Sequence, residues 1–446
     1  MRSIGAALVC ALALSACLSS ANLAGGRDDE RVPDAPLEAG TTCAADLQAD
    51  VGNCGACGRV CGNQANAYGL CKKGACAIGC NTGFGDCDAK PENGCEAMLA
   101  TDSNHCGACG KSCGGARCAA GQCQPLAIAE VPGYVGAVSQ DAADLYYSFS
   151  AGGGYTIGKL AKDGSRGHAE VVTGIAGNVA TVAVTSTEVY WTKPNDAPPP
   201  APANGAIHRA AKAAATAAAA PWIGALRLDY QDTLTLDNGN AFYATNDGAS
   251  PLVSTVSRAA LAGTTSVVTA QNIKGSLSSL VVDGGVAYFS ANGDNNGVGR
   301  GLYRCPTSGC GSSSTPVGGT PANTYLSNIA VVGPHLYFST NRAVARVKKD
   351  GTEYAVIGIG DSGYGNISSF ATDGTRLYWT ERNYLGGGND EFFTWTCPVA
   401  NCKDGRQPVA IPGEPSSILV DEKSFYIFTR TNNGTGTVTT ILKVVK

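Results

Sequence analysis

Three features of the sequence predict an all-β fold. Seven segments open on an aromatic pair or a single bulky aromatic with a small or hydroxyl residue close behind: DLYYS at Tyr146, EVYWT at Tyr190, AFYAT at Phe242, AYFSA at Tyr288, HLYFST at Tyr337, LYWTE at Tyr378 and SFYIFT at Tyr426. Successive anchors lie 44, 52, 46, 49, 41 and 48 residues apart. Each follows an apolar run closed by a turn signal, as in SSLVVDG or SNIAVVG, and the chain is rich in glycine, with 59, while charged residues make up only 15%. Alternation, aromatic enrichment and Asp-Gly punctuation are the marks of antiparallel hairpins. A period of about 40–50 residues with several strands in it is that of a propeller blade. The expected fold is therefore a seven-bladed β-propeller preceded by a small disulfide-rich, loop-rich domain.

The stretch from Ser368 to Gly405 shows one complete unit. A β-type run (Ser369-Phe370-Ala371) leads through Asp373-Gly374 to a strand at Leu377-Tyr378-Trp379-Thr380, and a glycine-rich loop leads to a third strand ending near Thr396. In the other units the third strand carries a basic residue, Lys159, Arg209, Arg258, Arg304, Arg346 or Lys443. The outer strands read EVVTG, SVVTA, EYAVIG and QPVAIPG, from Glu170, Ser266, Glu353 and Gln407. The seventh unit ends at ILKVVK with no such strand after it. The matching run, Gln124 to Gly133, stands before the first unit, so Leu126–Val131 is expected to pair with Ile441–Val445 and close the ring. The second unit carries a Pro- and Ala-rich insert, Pro194 to Ala206, followed by Ile207-His208-Arg209-Ala210 as a third strand and then an alanine-rich loop or short helix.

In LYWTE, VYWTK and the Lys348-Lys349-Asp350-Gly351 that closes a third strand, these repeats resemble the YWTD β-propellers of lipoprotein-receptor ectodomains over roughly 320 residues. That family has six blades, and its fourth motif residue, Asp, is Glu381 or Lys193 here, so the family's contacts between blades do not transfer.

The chain has 20 cysteines against two methionines, and fourteen of the cysteines fall between 43 and 123. Cys43, Cys54, Cys57 and Cys61 recur as Cys95, Cys106, Cys109 and Cys113, each 52 residues on, and Cys71 and Cys76 recur as Cys118 and Cys123. The first copy has the additional pair Cys80 and Cys87, so each copy holds an even set and two closed disulfide units are expected. Cys305 with Cys310, and Cys397 with Cys402, stand at the same place in two non-adjacent units and are expected to pair locally. Zinc on the two Cys-x2-Cys pairs, Cys54/Cys57 and Cys106/Cys109, is the competing reading. Export decides against it. The CGxCGxxC core resembles the stigma-specific cysteine-rich family of plants and similar secreted bacterial repeats, a resemblance that implies no chemistry.

Export is read from the N-terminus, where a positive Met1-Arg2 precedes an apolar stretch, Ile4 to Leu14, too short to span a bilayer. Leu14-Ser15-Ala16-Cys17 resembles a bacterial lipobox, which implies cleavage before Cys17 and its acylation. Leu18-Ser19 lacks the inner-membrane retention residue of the enterobacterial pattern, which points to the outer membrane. The expected organisation is a signal peptide over 1–16, a flexible tether over 17–42, the duplicated cysteine-rich domain over 43–123 and the propeller over 124–446.

The net charge of −4 gives no electrostatic footprint for nucleic acid. The four histidines, His105, His168, His208 and His335, fall in no metal-ligand or triad spacing, and no nucleophile elbow, dinucleotide or phosphate-loop motif is present. No cofactor is expected. Asp294 and Asn296, in an Asn-Gly-Asp-Asn-Asn-Gly loop, form a weak calcium candidate without an EF-hand's spacing, and Asn246-Asp247-Gly248 is a weaker one. The repeated third-strand cations could form a basic ring for an anion, but stem packing or pairing with carboxylates is favoured. The leading functional expectation is a lipid-anchored envelope protein whose propeller loops bind a protein or glycan. The alternatives are a propeller lyase or lactone hydrolase with an axial site, or a purely structural envelope module.

The anchor is tested by Cys17→Ser, which should move the protein from the detergent phase to the aqueous phase in a detergent partition of whole-cell lysate. A mature N-terminus elsewhere, carrying no lipid, contradicts the assignment.

Overall fold

The computed structural model describes residues 44–446, apart from 152, 196–201, 214–215, 218–219, 229–232, 294–298, 321–323, 341–342, 360–364, 384–389, 403 and 433–435. Cys17, Cys43, Asp294 and Asn296 thus lie outside the described residues. Two compact units are present: one ends at Cys61 and includes Cys71–Cys76, and the other comprises Gly62–Leu70 and Ala77–Lys446.

The first unit is held by Cys54–Cys71 and Cys61–Cys76. In the second unit Cys106–Cys118 and Cys113–Cys123 repeat that connectivity at the duplicated positions. The expectation of two closed sets is overturned, because Cys80 bridges to Cys95 and Cys87 to Cys109. These additional cysteines flank the short strand Phe84–Gly85, which pairs with Ala97–Met98 and so carries them to the second copy. With few large apolar side chains in this region, the bridges supply order by limiting the denatured chain, about 2–4 kcal/mol each. Cys305–Cys310 and Cys397–Cys402 are local, as expected.

Seven antiparallel sheets follow, each with an inner strand, a second strand bearing the aromatic anchor, a third strand and an outer strand. Blade 1 runs Val135–Gln140, Asp144–Ala151, Gly154–Ala161 and Ala169–Ile175, and blade 6 runs Gly365–Thr372, Arg376–Asn383, Glu391–Pro398 and Gln407–Pro408. In blade 7, Glu414–Val420, Ser424–Asn432 and Thr437–Val445 are joined by Leu126–Pro132, which pairs Pro132 with Val438 and Leu126 with Lys443. The closing strand therefore has the expected partner, a few residues earlier in register. Each inner strand touches the next, and the seventh touches the first. Four cysteines of the second repeat, with Ala116, pack against Leu126 and Val445, covering the place where the ring closes.

In blade 2 the strand Gly205–Ala211 forms as expected, but the alanines after it give no helix among the described residues. Thr216–Ala217 adds a parallel edge to blade 1, and Ile223–Leu226 becomes the outer strand of blade 2. The unsatisfied edge of the neighbouring sheet overrides the helical preference of alanine.

The blades are joined by one recurring contact. An aspartate ends the inner strand of a blade, and its Oδ1 caps the turn to the second strand: Asp141 accepts from the amides of Ala143 and Asp144, Asp373 from Thr375 and Arg376, and Asp421 from Lys423 and Ser424. Its Oδ2 faces the following blade and meets a lysine at the end of that blade's third strand. Lys212 reaches Asp141 at 2.7 Å, Lys162 reaches Asp421 at 3.3 Å, Lys349 reaches Asp283 at 2.5 Å, and Lys446 pairs with Asp373. Three of these ammonium groups also lie over the anchor tyrosine of the earlier blade, Lys212 at 4.5 Å from the Tyr146 ring, Lys446 at 5.6 Å from Tyr378 and Lys162 at 5.8 Å from Tyr426.

The remaining seams use other chemistry. In blades 4 and 6 the lysine position is Thr307 or Val399, within the turns closed by Cys305–Cys310 and Cys397–Cys402. Cys305 packs with Phe242 and Val256 of blade 3, and Cys397 and Cys402 with Tyr337 and Val344 of blade 5. Between blades 2 and 3, Trp222 donates its indole N–H to Gly263 at 2.7 Å. The third-strand cations are drawn into the same system: Lys159, Arg209 and Arg304 donate to the carbonyls of Lys212, Leu261 and Lys349 in the following blade, at 3.0, 2.7 and 2.7 Å.

Burial works to raise the Asp141 carboxyl, but the Lys212 ammonium and the turn amides outweigh it and hold it at about 2 against an ordinary 3.8. Asp373 is held at about 2 in the same way, against burial, by Lys446 and its turn. A depressed folded pKa gives stability that is complete above the unfolded value and lost as the pH falls through the folded one. The protein should therefore lose stability between about pH 4 and about pH 2 in a denaturant titration. Asp141→Asn should lower stability at pH 7 by about 1–2 kcal/mol and flatten that acid limb. Arg209→Ala and Arg304→Ala should each cost about 1.5–3 kcal/mol, the worth of a hydrogen bond from a charged donor. An immobilised polyanion should retain neither the wild type nor these variants. Loss of polyanion retention without loss of stability would restore the basic ring.

Candidate functional site

The strand order fixes two unlike faces. On one, the turns between inner and second strands are two or three residues long, from 141–143 in blade 1 to 421–423 in blade 7. On the other, the second-to-third connections run from two residues to eleven, the longest spanning 194–204. Among the described residues three cavities are candidates: one on each face and one along the axis.

The axial channel encloses about 410 Å³ and is lined by the inner strands of all seven blades. Its described lining holds no Asp, Glu, His, Lys or Arg. Two of its hydroxyls stitch neighbouring strands together: Ser279 Oγ accepts from the Ile329 amide at 3.0 Å, and Ser369 Oγ from the Ile418 amide at 3.2 Å. Gln140 donates to the Val420 carbonyl at 2.7 Å. Thr181 Oγ1 is buried there without a protein partner. The lining can bind water or a small neutral group, but it offers no proton donor or acceptor of shifted pKa for acid–base chemistry.

On the short-turn face, a cavity of about 700 Å³ lies between blades 7 and 1, bordered by Asp141, Lys162, Asp421 and Lys443. Of its charges, Lys162 pairs with Asp421 and Asp141 with Lys212 across the seams, while Asp163, Glu422 and Lys423 also border it.

The third cavity, about 310 Å³, lies on the long-loop face where blades 6, 7 and 1 meet. Two glycines place its walls. Gly133 has φ +84° and would put a Cβ 2.1 Å from the Ser150 carbonyl oxygen, so only glycine can turn the chain from the closing strand into Tyr134. Gly413, φ +78°, similarly sits against the Arg430 carbonyl and sets Glu414 beside that arginine. Arg430 donates through Nε to Glu414 Oε2 at 2.9 Å, and its guanidinium lies 5.7 Å from the Tyr134 ring. Arg382 donates to Asp390 Oδ2 at 2.8 Å and lies 5.5 Å from the Phe392 ring. Tyr134 is 44% exposed.

The residues singled out from sequence have other placements. The seven anchors are core, each at most 4% exposed. The sulfurs of Cys54, Cys106 and Cys109 are in bridges, which leaves no zinc site of the expected kind. Asp247 Oδ1 accepts from the amides of Ala249 and Val253 and serves its own loop. The histidines are dispersed: His105 accepts from the Gly110 amide, His168 bonds the Tyr147 hydroxyl at 2.7 Å, His208 stacks on Trp191, and His335 lies 3.9 Å from Glu353. Sequence reasoning did not find the cleft: Arg382 and Arg430 each stand four residues after an anchor tyrosine, but nothing in the repeat ties them to Tyr134, Phe392 and Glu414. The Gly-Tyr and Gly-Glu steps after outer strands were the available signal.

No protein-family model and no curated protein sequence matches the chain. Solved structures with a similar fold include one from a study of two prolyl endopeptidases, 13% identical, with a TM-score of 0.50 over 68% of this chain and 46% of that one. Puromycin hydrolase aligns at 13% identity and a TM-score of 0.50 over 71% of this chain and 52% of that one. The extracellular domain of a putative one-component system from B. thetaiotaomicron aligns at 12% identity and a TM-score of 0.45 over 72% and 40%. The chain spans about half the length of the first two, and at these identities the likeness is one of fold: a β-propeller.

Proposed function

We propose that the protein is an extracytoplasmic interaction module, anchored by lipid on Cys17 to the outer membrane, whose long-loop face binds a protein or glycan of the cell envelope. The observation that carries this reading is the division of labour between the cavities. The channel has no ionisable lining. On the short-turn face Lys162, Asp421 and Asp141 are held in seam ion pairs. The long-loop cleft sets an exposed aromatic side chain, Tyr134, beside charged ones. The eight disulfides among the described residues fit an oxidising compartment. The YWTD-like character rests on Tyr190-Trp191-Thr192 and Tyr378-Trp379-Thr380, whose aromatic rings are buried between blades. The seam lysines, rather than that family's aspartate, do the joining here.

The test uses the mature chain against peptidoglycan sacculi, lipopolysaccharide and purified outer-membrane vesicles. Saturable binding to one of these should survive Thr181→Val in the channel and Asp163→Arg on the short-turn face, and fall at least fivefold in Ser368→Arg or Asn432→Arg on the long-loop face. Binding that tracks the channel or the short-turn variants, or the absence of binding to all three, contradicts the reading.

A further inference from the structure

The cleft on the long-loop face has a chemistry specific enough to name a ligand class. Its two cations, Arg382 and Arg430, are each matched by a carboxylate, Asp390 and Glu414, so among the described residues the charges of the site balance. A phosphate or a polyanion would have to displace those carboxylates. Nε and Nη2 of the Arg430 guanidinium both donate to Oε2 of Glu414. Oε1 of the same carboxylate takes no donor among the described residues, and it is left to accept from a ligand. The two guanidinium groups lie over Tyr134 and Phe392 at cation–π distance without closing the aromatic surface, since Tyr134 keeps 44% of its area accessible. Ser368, also exposed, adds a hydroxyl to the rim.

A ligand that suits this set must be neutral, must donate and accept through the same groups, and must present an apolar face to an aromatic ring. A sugar ring does all three: its hydroxyls can donate to Glu414 and accept from Arg430 or Arg382, and its C–H face can lie on Tyr134 or Phe392. We propose that the cleft formed by Tyr134, Arg382, Phe392, Glu414 and Arg430 binds a neutral carbohydrate, about one or two sugar rings long given its 310 Å³. This deepens the reading of the long-loop face as the binding face and rests on it.

The test is calorimetric titration of the full mature chain with maltotriose, cellotriose and tri-N-acetylglucosamine, and with trigalacturonate as the anionic control. At least one neutral trisaccharide should bind, and trigalacturonate should bind more weakly. Tyr134→Ala and Phe392→Ala should each weaken binding about tenfold, the loss of one aromatic contact. Tyr134→Trp should retain it, and Arg430→Lys, which keeps the charge but loses the planar fork, should weaken it. Unchanged melting temperatures exclude misfolding, and if Tyr134→Ala fails to fold, Tyr134→Trp and Phe392→Ala still decide. Preference for trigalacturonate, binding indifferent to both aromatic positions, or no binding to any neutral member overturns the proposal. If envelope binding persists while the neutral sugars fail, the carbohydrate class is lost and the interaction module stands. If envelope binding is itself absent, the broader reading has failed.

Discussion

A blade of four short strands has two apolar faces and no means of covering them alone, so the ring depends on what joins one blade to the next. At four of the seven seams the join is an aspartate paired with a lysine, and in Asp141 it has two tasks. One oxygen caps the turn that ends the inner strand, and the other receives a lysine from the following blade. Where that lysine packs on the tyrosine anchor, the buried ring and the ion pair form one contact. The charge is thus placed where it is partly desolvated and hydrogen-bonded, which is where an ion pair contributes more than at an open surface. Where the lysine is missing in blades 4 and 6, a turn closed by a disulfide occupies the same seam. The substitution of one device for the other accounts for two cysteine pairs that have no counterpart in the remaining blades.

The periodic part of this plan was legible in the sequence. Seven aromatic anchors at nearly even spacing gave the blade number, and the absence of an outer strand after ILKVVK led to Leu126–Val131 as its replacement. Both inferences depend only on strand periodicity and on the need to satisfy an edge. What was not legible involves partners in different repeats. Lys162, Lys212, Lys349 and Lys446 recur near the ends of third strands, yet their spacing does not say that each answers an aspartate of the preceding blade. The cross-links from Cys80 and Cys87 were missed for a related reason: an even count within each cysteine repeat suggests closure, but connectivity is decided by how the strand Phe84–Gly85 pairs. The cleft was hidden most completely, since its residues come from the turn after the closing strand and from two blades.

The division of the molecule into stitched and unstitched parts bears on function. Ser279 and Ser369 in the channel, and Asp141, Lys162 and Asp421 on the short-turn face, are bonded across seams, so those groups serve the ring. The long-loop face is bound by no such requirement: its connections vary in length while the turns opposite stay at two or three residues. A rigid ring with one variable face is suited to recognition, with the scaffold fixing where side chains such as Tyr134 and Arg430 stand.

The central claim is that the ring is closed from the N-terminal side by Leu126–Pro132, with the second cysteine repeat covering that junction through Leu126 and Val445. Scanning calorimetry of two truncations tests it directly. A chain beginning at residue 124 should still unfold in one cooperative transition, at a reduced temperature because Leu126 and Val445 are uncovered. A chain beginning at residue 134 should lose that transition or aggregate, because blade 7 then exposes an edge and the apolar faces at the seam. Identical transitions for the two chains would contradict the account.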